Sequence, residues 1–478
     1  MRIKEFGGKN YYGGKIMRGK RIVSCLLAGL MIFSVTGCST SQNQQSGTSG
    51  GTSQTKETSA VVEDDFGKKD PASYVANLKF MVHSTGQPEY MIKKFNEIYP
   101  NINIELVVIP SAEQQEKIMS MVATGEDVPD LFTSRTQFVK AMVESDRYYA
   151  DLGAAPYNAS DWRAQLEPYI VEVGTEDATG ALRALSWQCP VGGIYYRRSM
   201  AKEIFGTDDP EEMAQIFNSF DSLIDAARKV KAATDGSVFF TSDAPQDLVF
   251  MGVTNAGGFM KDGKLNIGDE IKALFEYAKI MYEEGLTLGY VRNDTATAAA
   301  ISEGKVFCTA KPTWGLNYNI MPNFPEQAGD WALTSGPHPY TSGGTWIGIS
   351  KSTEYPEECY LFLKFILTNE EFIRSYAIDI GDYVSNVAVQ QEIEKYMDEA
   401  GASLDIVRFL DGQNPYTYWN GELEKGINPG AYSQYDEYFA LYLMAALESY
   451  GVGNSEFDKA LQQYKDDCLS YAPGLIVE

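Results

Sequence analysis

Along residues 78–132 the apolar positions change their period several times, and each change marks an element. Leu78–Val82 is a short apolar run, followed by the turn residues His83-Ser84-Thr85-Gly86. Met91, Phe95 and Ile98 then recur at helical spacing. Pro100-Asn101 ends that helix, because proline donates no backbone N–H and restricts the residue before it. Ile102, Ile104, Leu106 and Val108 alternate along a second strand, with Val107 and Ile109 on its other face. Ile118, Met119 and Val122 mark a second helix, and a third strand starts at Asp130. The order strand, helix, strand, helix, strand predicts a largely parallel sheet covered by helices.

The pattern continues to the C-terminus. Thr136–Glu144 reads as a helix, and Phe220, Leu223, Ile224, Ala227 and Val230 as the apolar face of another. Asn218 is placed to cap the latter, with Asp221 in its first turn. Ser237–Thr241 and Val306–Ala310 read as strands. Pro356–Leu367 reads as a helix with Cys359, Phe362, Leu363 and Ile366 on one face. Pro356 suits its first turn, and Asn369 caps the helix that follows. Ser433 with Asp436 and Ser455 with Asp458 are two further cap patterns.

A chain of 478 residues is long enough for two core-forming lobes. The formal charge is −25. Setting aside residues 1–37 makes the body more acidic still, with 33 basic against 64 acidic residues. Such a body is unsuited to a phosphate backbone, which needs clustered Lys and Arg, so no nucleic-acid partner is expected. Met17-Arg18-Gly19-Lys20-Arg21 followed by the apolar run Ile22–Val35 has the form of a secretory leader, with Met17 the expected start and 1–37 the signal peptide. Val35-Thr36-Gly37-Cys38 resembles the lipobox of bacterial lipoproteins, which implies that Cys38 carries the lipid. Ser39–Ser59 is Ser, Gln, Thr and Gly, too polar to fold, so residues 38–73 are expected to form a flexible tether. Cys189, Cys308, Cys359 and Cys468 are widely spaced and read as small buried hydrophobes, their pairing left open.

Catalytic signatures are sparse. The chain has two histidines, His83 and His338, and no G-x-S-x-G elbow, H-E-x-x-H pair or phosphate-binding loop. No metal or cofactor is expected. A glycosidase needs only two carboxylates, and 65 Asp and Glu leave that class open without placing a pair. Aromatic residues are the better lead: 23 Phe, 30 Tyr and 6 Trp make up 12% of the chain. An indole or phenol ring can bury the C–H face of a sugar while nearby polar groups bond its hydroxyls. Trp162 and Trp331 are assigned to the core.

Several motifs resemble the extracellular solute-binding proteins that feed ABC importers, in particular the group that binds sugars and oligosaccharides. They are Phe95-x-x-x-Tyr99-Pro100-x-Ile102, Gly125-Glu126-Asp127-Val128-Pro129-Asp130, Asn255-Ala256-Gly257-Gly258, Glu303-Gly304-Lys305-Val306 and Gly343-Gly344 leading to Ile349-Ser350-Lys351. Gly381–Asn386 matches a further family loop, with Val384 in place of its proline. The resemblance spans about residues 76–470. It implies an α/β, two-lobed, periplasmic-binding-protein-like fold, each lobe a central sheet flanked by helices and joined by two or three crossings. One crossing is expected along Ala184–Tyr196 and another near Gly344. The implied N-terminal lobe is 74–190 with 346–400, and the C-terminal lobe 191–345 with 401–478. The implied ligand is a carbohydrate, the implied partner an ABC importer permease, and the implied unit a monomer lipid-anchored on the outer face of the cell membrane. A non-sugar solute, a cell-surface hydrolase and a sensor subunit stand as alternatives.

The same resemblance nominates ligand-binding residues. Trp314 follows the family strand after which sugar-binding relatives carry a stacking tryptophan. Trp187 lies at the first crossing, Gly344 and Trp346 at the second, and Ser134 and Arg135 after the third strand. Asp247, Tyr383, Trp419 and Glu89 complete the set, with His83 a further candidate contact.

Overall fold

A computed structural model describes residues 66–289, 295–427 and 432–477. The leader, Cys38 and most of the tether lie outside the described residues. The first sheet takes its parallel part from the opening pattern. β1 (Ala76–Val82) pairs in parallel with β2 (Ile102–Val108) and with β3 (Leu131–Arg135). Between them run α1 (Gly86–Asn96) and α2 (Gln114–Thr124), and α3 (Thr136–Val143) follows β3 directly. β1 is buried at alternating positions and at its whole C-terminal end, as expected of an inner strand. β2 is the edge strand, so Ile102 and Ile104 are buried while Val108 is exposed.

The chain leaves this sheet after β4 (Leu185–Ser186) and enters a second one at β5 (Gly192–Arg197). There β5 lies between β8 (Cys308–Pro312) and β9 (Trp331–Thr334), antiparallel to both. β6 (Met260–Lys261) and β7 (Lys264–Leu265) form a separate hairpin. β10 (Thr345–Ile349) returns to the first sheet, where Trp346 faces Ser134 on one side and Ser186 on the other. The first sheet is therefore ordered β2-β1-β3-β10-β4 and the second β8-β5-β9. The chain crosses between sheets at residues 187–191 and 335–344.

Helix Pro356–Thr368 packs Cys359, Phe362, Leu363 and Ile366 into the first core. The last two helices, Asp436–Gly451 and Phe457–Tyr471, bury Phe439, Leu443, Tyr464 and Cys468 against helices Ala244–Val253 and Asp269–Glu283. All four described cysteines are buried and free. Burial pushes the Cys468 thiol up to about 12, so these thiols are held protonated and unreactive.

Several expectations are corrected. Ser219, not Asn218, caps helix Phe220–Ala233, exchanging bonds with Ser222 in a capping box. Ser237–Thr241 is no continuous strand; Phe239 bridges Val306 and Thr241 bridges Thr287, so its bonds are split between two neighbours instead of running along one. Ser433 and Asp436 do bond each other, but the helix begins at Asp436 itself, and the last helix begins at Phe457 after Glu456 rather than under a Ser455 cap. The tether is shorter than expected. Phe66 packs on Tyr157 and Tyr360, Lys69 pairs with Glu357, and Asp70 caps a short helix at Pro71–Ser73.

Candidate functional site

Parallel sheets present their ligands at the C-terminal ends of the strands. Here those ends are His83–Gln87 after β1 and Arg135–Thr136 after β3. Both meet elements of the second half, and the contacts close into a ring.

One side of the ring is built on Asp382. Helix Glu370–Ile380 stops at Gly381, whose φ of 82° turns the chain into the left-handed region that glycine tolerates. A Cβ there would also lie 2.9 Å from Asn317 Nδ2, which donates to the Gly381 carbonyl. This turn delivers Asp382 into the junction, where it is 3% exposed. Asp382 Oδ2 accepts from Gln87 Nε2 at 2.5 Å, from Gln188 Nε2 at 2.9 Å and from the Tyr376 hydroxyl. Gln87 Nε2 also lies 3.0 Å from the hydroxyl of Tyr318, which is 46% exposed. Burial raises the Asp382 carboxyl above the usual carboxylate range, and the bonds from Tyr376 and Gln188 pull it partly back.

Trp314 stands one helical turn before Tyr318, just past β8, and is half-buried. Its Nε1 donates to the Ser342 carbonyl at 3.0 Å, fixing the ring against the second crossing. The next carbonyl, that of Gly343, accepts from the Thr136 hydroxyl at the start of α3. Beside Thr136, Arg135 stacks its guanidinium 4.9 Å from the Phe138 ring and reaches Glu437 at 3.3 Å. Arg135 Nε has no partner among the described residues. His83, just past β1, lies near Arg135 at the same end of the sheet. Burial, then the neighbouring Arg135 charge, lowers its titration, so the imidazole is neutral at pH 7.

Behind Gly343 lies a cavity of about 70 Å³ lined by Thr136, Phe250, Phe259, Thr341, Tyr432 and Asp436. Asp436 is 8% exposed and accepts from Ser433 N at 3.0 Å and from Ser433 Oγ. Burial pushes its carboxyl up to about 7, against those two bonds. An unfolded aspartate titrates near 4. Between about pH 4 and pH 7 the folded chain thus holds a proton that the unfolded chain has released, and stability falls as pH rises through that window. Asp436→Asn should flatten this slope, removing a pH dependence of a few kcal/mol at most. Urea unfolding at pH 5 and pH 7.5 reads the effect; equal slopes in both proteins would refute the assignment.

The nominated residues divide by exposure. Trp314, Arg135 and Gly344 belong to the ring, and Ser134 lies just behind it in β3 at 7% exposure. Trp187 is 4% exposed and donates to the Tyr376 hydroxyl at 3.1 Å, so it supports Asp382 from behind rather than facing open space. Four nominations fall on interior positions instead. Trp346 is fully buried in the middle of the first sheet, its Nε1 3.4 Å from the Ile170 carbonyl. Tyr383 and Trp419 pack on each other and on Tyr416 with no accessible ring face. Asp247 points into the second half's interior, accepting from the Thr241 hydroxyl at 2.6 Å beside Phe240 and Cys308. Glu89 is exposed on α1, outside the ring.

Gln87, Tyr318, Asp382 and Asp436 were not nominated from sequence. Gln87 carried a signal, its position just past the end of a parallel strand, and Tyr318 another, four residues after Trp314. The two aspartates carried none.

The arrangement has a half-buried tryptophan, an exposed tyrosine, a buried carboxylate with amide donors and an arginine, drawn from both halves. Among the described residues no helix is long and apolar enough to cross a membrane. Residues 90–402 match the family described as bacterial extracellular solute-binding protein. The lactose-binding protein of Rhizobium radiobacter is 24% identical over 350 residues, 69% of this chain and 75% of the relative. The arabinooligosaccharide-binding protein of Bacillus subtilis is 23% identical over 367 residues, 74% of this chain and 77% of the relative. The galacto-N-biose/lacto-N-biose I-binding protein of an ABC transporter from Bifidobacterium longum, solved with lacto-N-biose, superposes with a TM-score of 0.66 at 17% identity, over 84% of this chain and 99% of that one. That likeness establishes the two-lobed binding-protein fold. With the family match covering well over half of its length, this chain belongs to the bacterial extracellular solute-binding proteins.

Proposed function

We propose that this chain captures a carbohydrate, of oligosaccharide size, between its two lobes and presents it to an ABC importer permease. The observation that carries the reading is the pairing of half-buried Trp314 and exposed Tyr318 with the Gln87–Asp382 polar group beside them. Rings take the C–H face of a sugar and the polar group takes its hydroxyls. What the two curated relatives are named for binding, lactose and arabinooligosaccharide, supports a sugar over a peptide or an anion. Grip comes from closure: the closed form alone offers the ligand contacts from both lobes, so binding shifts the balance towards it. The product is a held ligand, and no bond-breaking step is assigned to any residue.

A thermal-shift screen over lactose, arabinooligosaccharides, peptides and anions tests the ligand class, since a ligand at 100 times its Kd raises stability by about 2.7 kcal/mol. A shift with peptides or anions and none with sugars would overturn the reading, as would release of reducing ends from a glycan. The anchor is tested separately. Cys38→Ser should move the protein from the membrane fraction to the soluble fraction, and retention that only detergent relieves would refute lipidation.

A further inference from the structure

We infer that Gly343-Gly344 is the pivot of the second crossing and that Trp314 is the positioning residue that ties ligand contact to it. The inference rests on the capture reading and adds how a bound sugar would be felt by the hinge.

The two crossings are laced together. Ser342 N donates to the Pro190 carbonyl at 3.1 Å, Val191 bridges Thr341, and Thr313 N, next to Trp314, donates to the Val191 carbonyl at 2.9 Å. Within this knot Gly343 and Gly344 have φ of 77° and 97°, two successive residues in a region open mainly to glycine. Neither has room for a side chain. A Cβ on Gly343 would lie 2.7 Å from Trp314 Nε1, and one on Gly344 2.8 Å from Pro190 Cγ.

The decisive feature is which half holds which carbonyl. Ser342 O is held by Trp314, which follows β8 of the second sheet. Gly343 O, the next along the chain, is held by Thr136, which follows β3 of the first. A rotation of one half against the other must change φ and ψ of Gly343, the residue between these two carbonyls, or break one of the anchors. Glycine lowers the cost of that change at 343, and Gly344 gives the same freedom where the chain leaves for β10. A sugar lying on Trp314 would hold the indole and, through Nε1, the Ser342 carbonyl. Trp314 thus acts at the hinge as well as at the ligand.

The test is solution X-ray scattering of the full chain, without sugar and at saturating lactose or arabinotriose. Trp314→Phe keeps an aromatic face and removes the N–H donor. Read at a sugar concentration that saturates the variant, whatever its affinity, it should show less than half of the decrease in radius of gyration that the unmodified protein shows. Gly343→Ala, whose methyl would push the indole aside, should lose the decrease in the same way. Full narrowing in both variants would overturn the inference. If no sugar narrows the unmodified protein, the capture reading itself has failed. The sugar-free comparison then still decides the coupling: Trp314→Phe should be the more expanded, and identical sugar-free profiles would overturn it.

Discussion

Trp314→Ala is expected to weaken binding of the chain's sugar by about 30-fold while leaving the fold intact. A ligand covering roughly 80 Å² of indole face is worth about 2 kcal/mol at 25 cal/mol per Å². At tenfold for each 1.4 kcal/mol, that is about 30-fold. The fold should survive because Trp314 is half-buried at the end of β8, outside the tightly packed centre of either sheet. Trp346→Ala provides the contrast. That side chain is fully buried, and its loss should cost about 3–5 kcal/mol of stability. Calorimetric titration with whichever sugar raises the melting temperature decides the matter. Unchanged affinity in Trp314→Ala would remove this residue from the site.

The second large effect is expected at Asp382. In Asp382→Leu the amides of Gln87 and Gln188 and the hydroxyl of Tyr376 lose a common acceptor in a buried place. Each stranded donor costs about 1–3 kcal/mol, and some will find other partners, so a loss of about 3 kcal/mol is expected. Asp382→Asn can keep a carbonyl oxygen at the same point and should lose less than half as much. Urea unfolding of the two variants reads the difference. Equal losses would mean that the acceptor oxygen is not what holds these groups. Because Gln87 and Tyr318 come from different halves, the leucine variant should also bind sugar more weakly than the asparagine variant.

The ion pair Arg135–Glu437 is a smaller matter. Both side chains keep some solvent exposure, at 27% and 20%, and pairs of that kind contribute up to about 1 kcal/mol. Its interest is positional, since it joins the end of β3 to the start of helix Asp436–Gly451 beside the cavity under Gly343.

Much of the architecture could be read directly from the residues. The change of period from Leu78 to Phe132 located three strands and two helices within a few residues, because burial on one face leaves a periodic trace in any local element. The motif Gly343-Gly344 to Lys351 located β10 and the crossing before it. The resemblance to the family nominated Trp314, by its place after the strand that is β8. The six tryptophans show where such reading stops. Trp187 and Trp346 both sit at crossings in sequence, yet one supports a buried aspartate and the other fills the middle of a sheet. Which way a ring faces depends on neighbours up to about 190 residues away, as with Trp187 and Tyr376.

The order of the first three strands and two helices and the acidic body follow from the residues alone, and short motifs carry the resemblance to the family, because periodicity, composition and motifs are properties of neighbouring positions. The ring itself is a product of tertiary structure. Gln87 meets Asp382 across 295 residues, and Arg135 meets Glu437 across 302. Among 65 acidic residues, nothing local marks Asp382 and Asp436 as two of those that folding removes from water. Their altered protonation arises only when distant segments close over them, since burial, unlike periodicity, is a property of the whole fold.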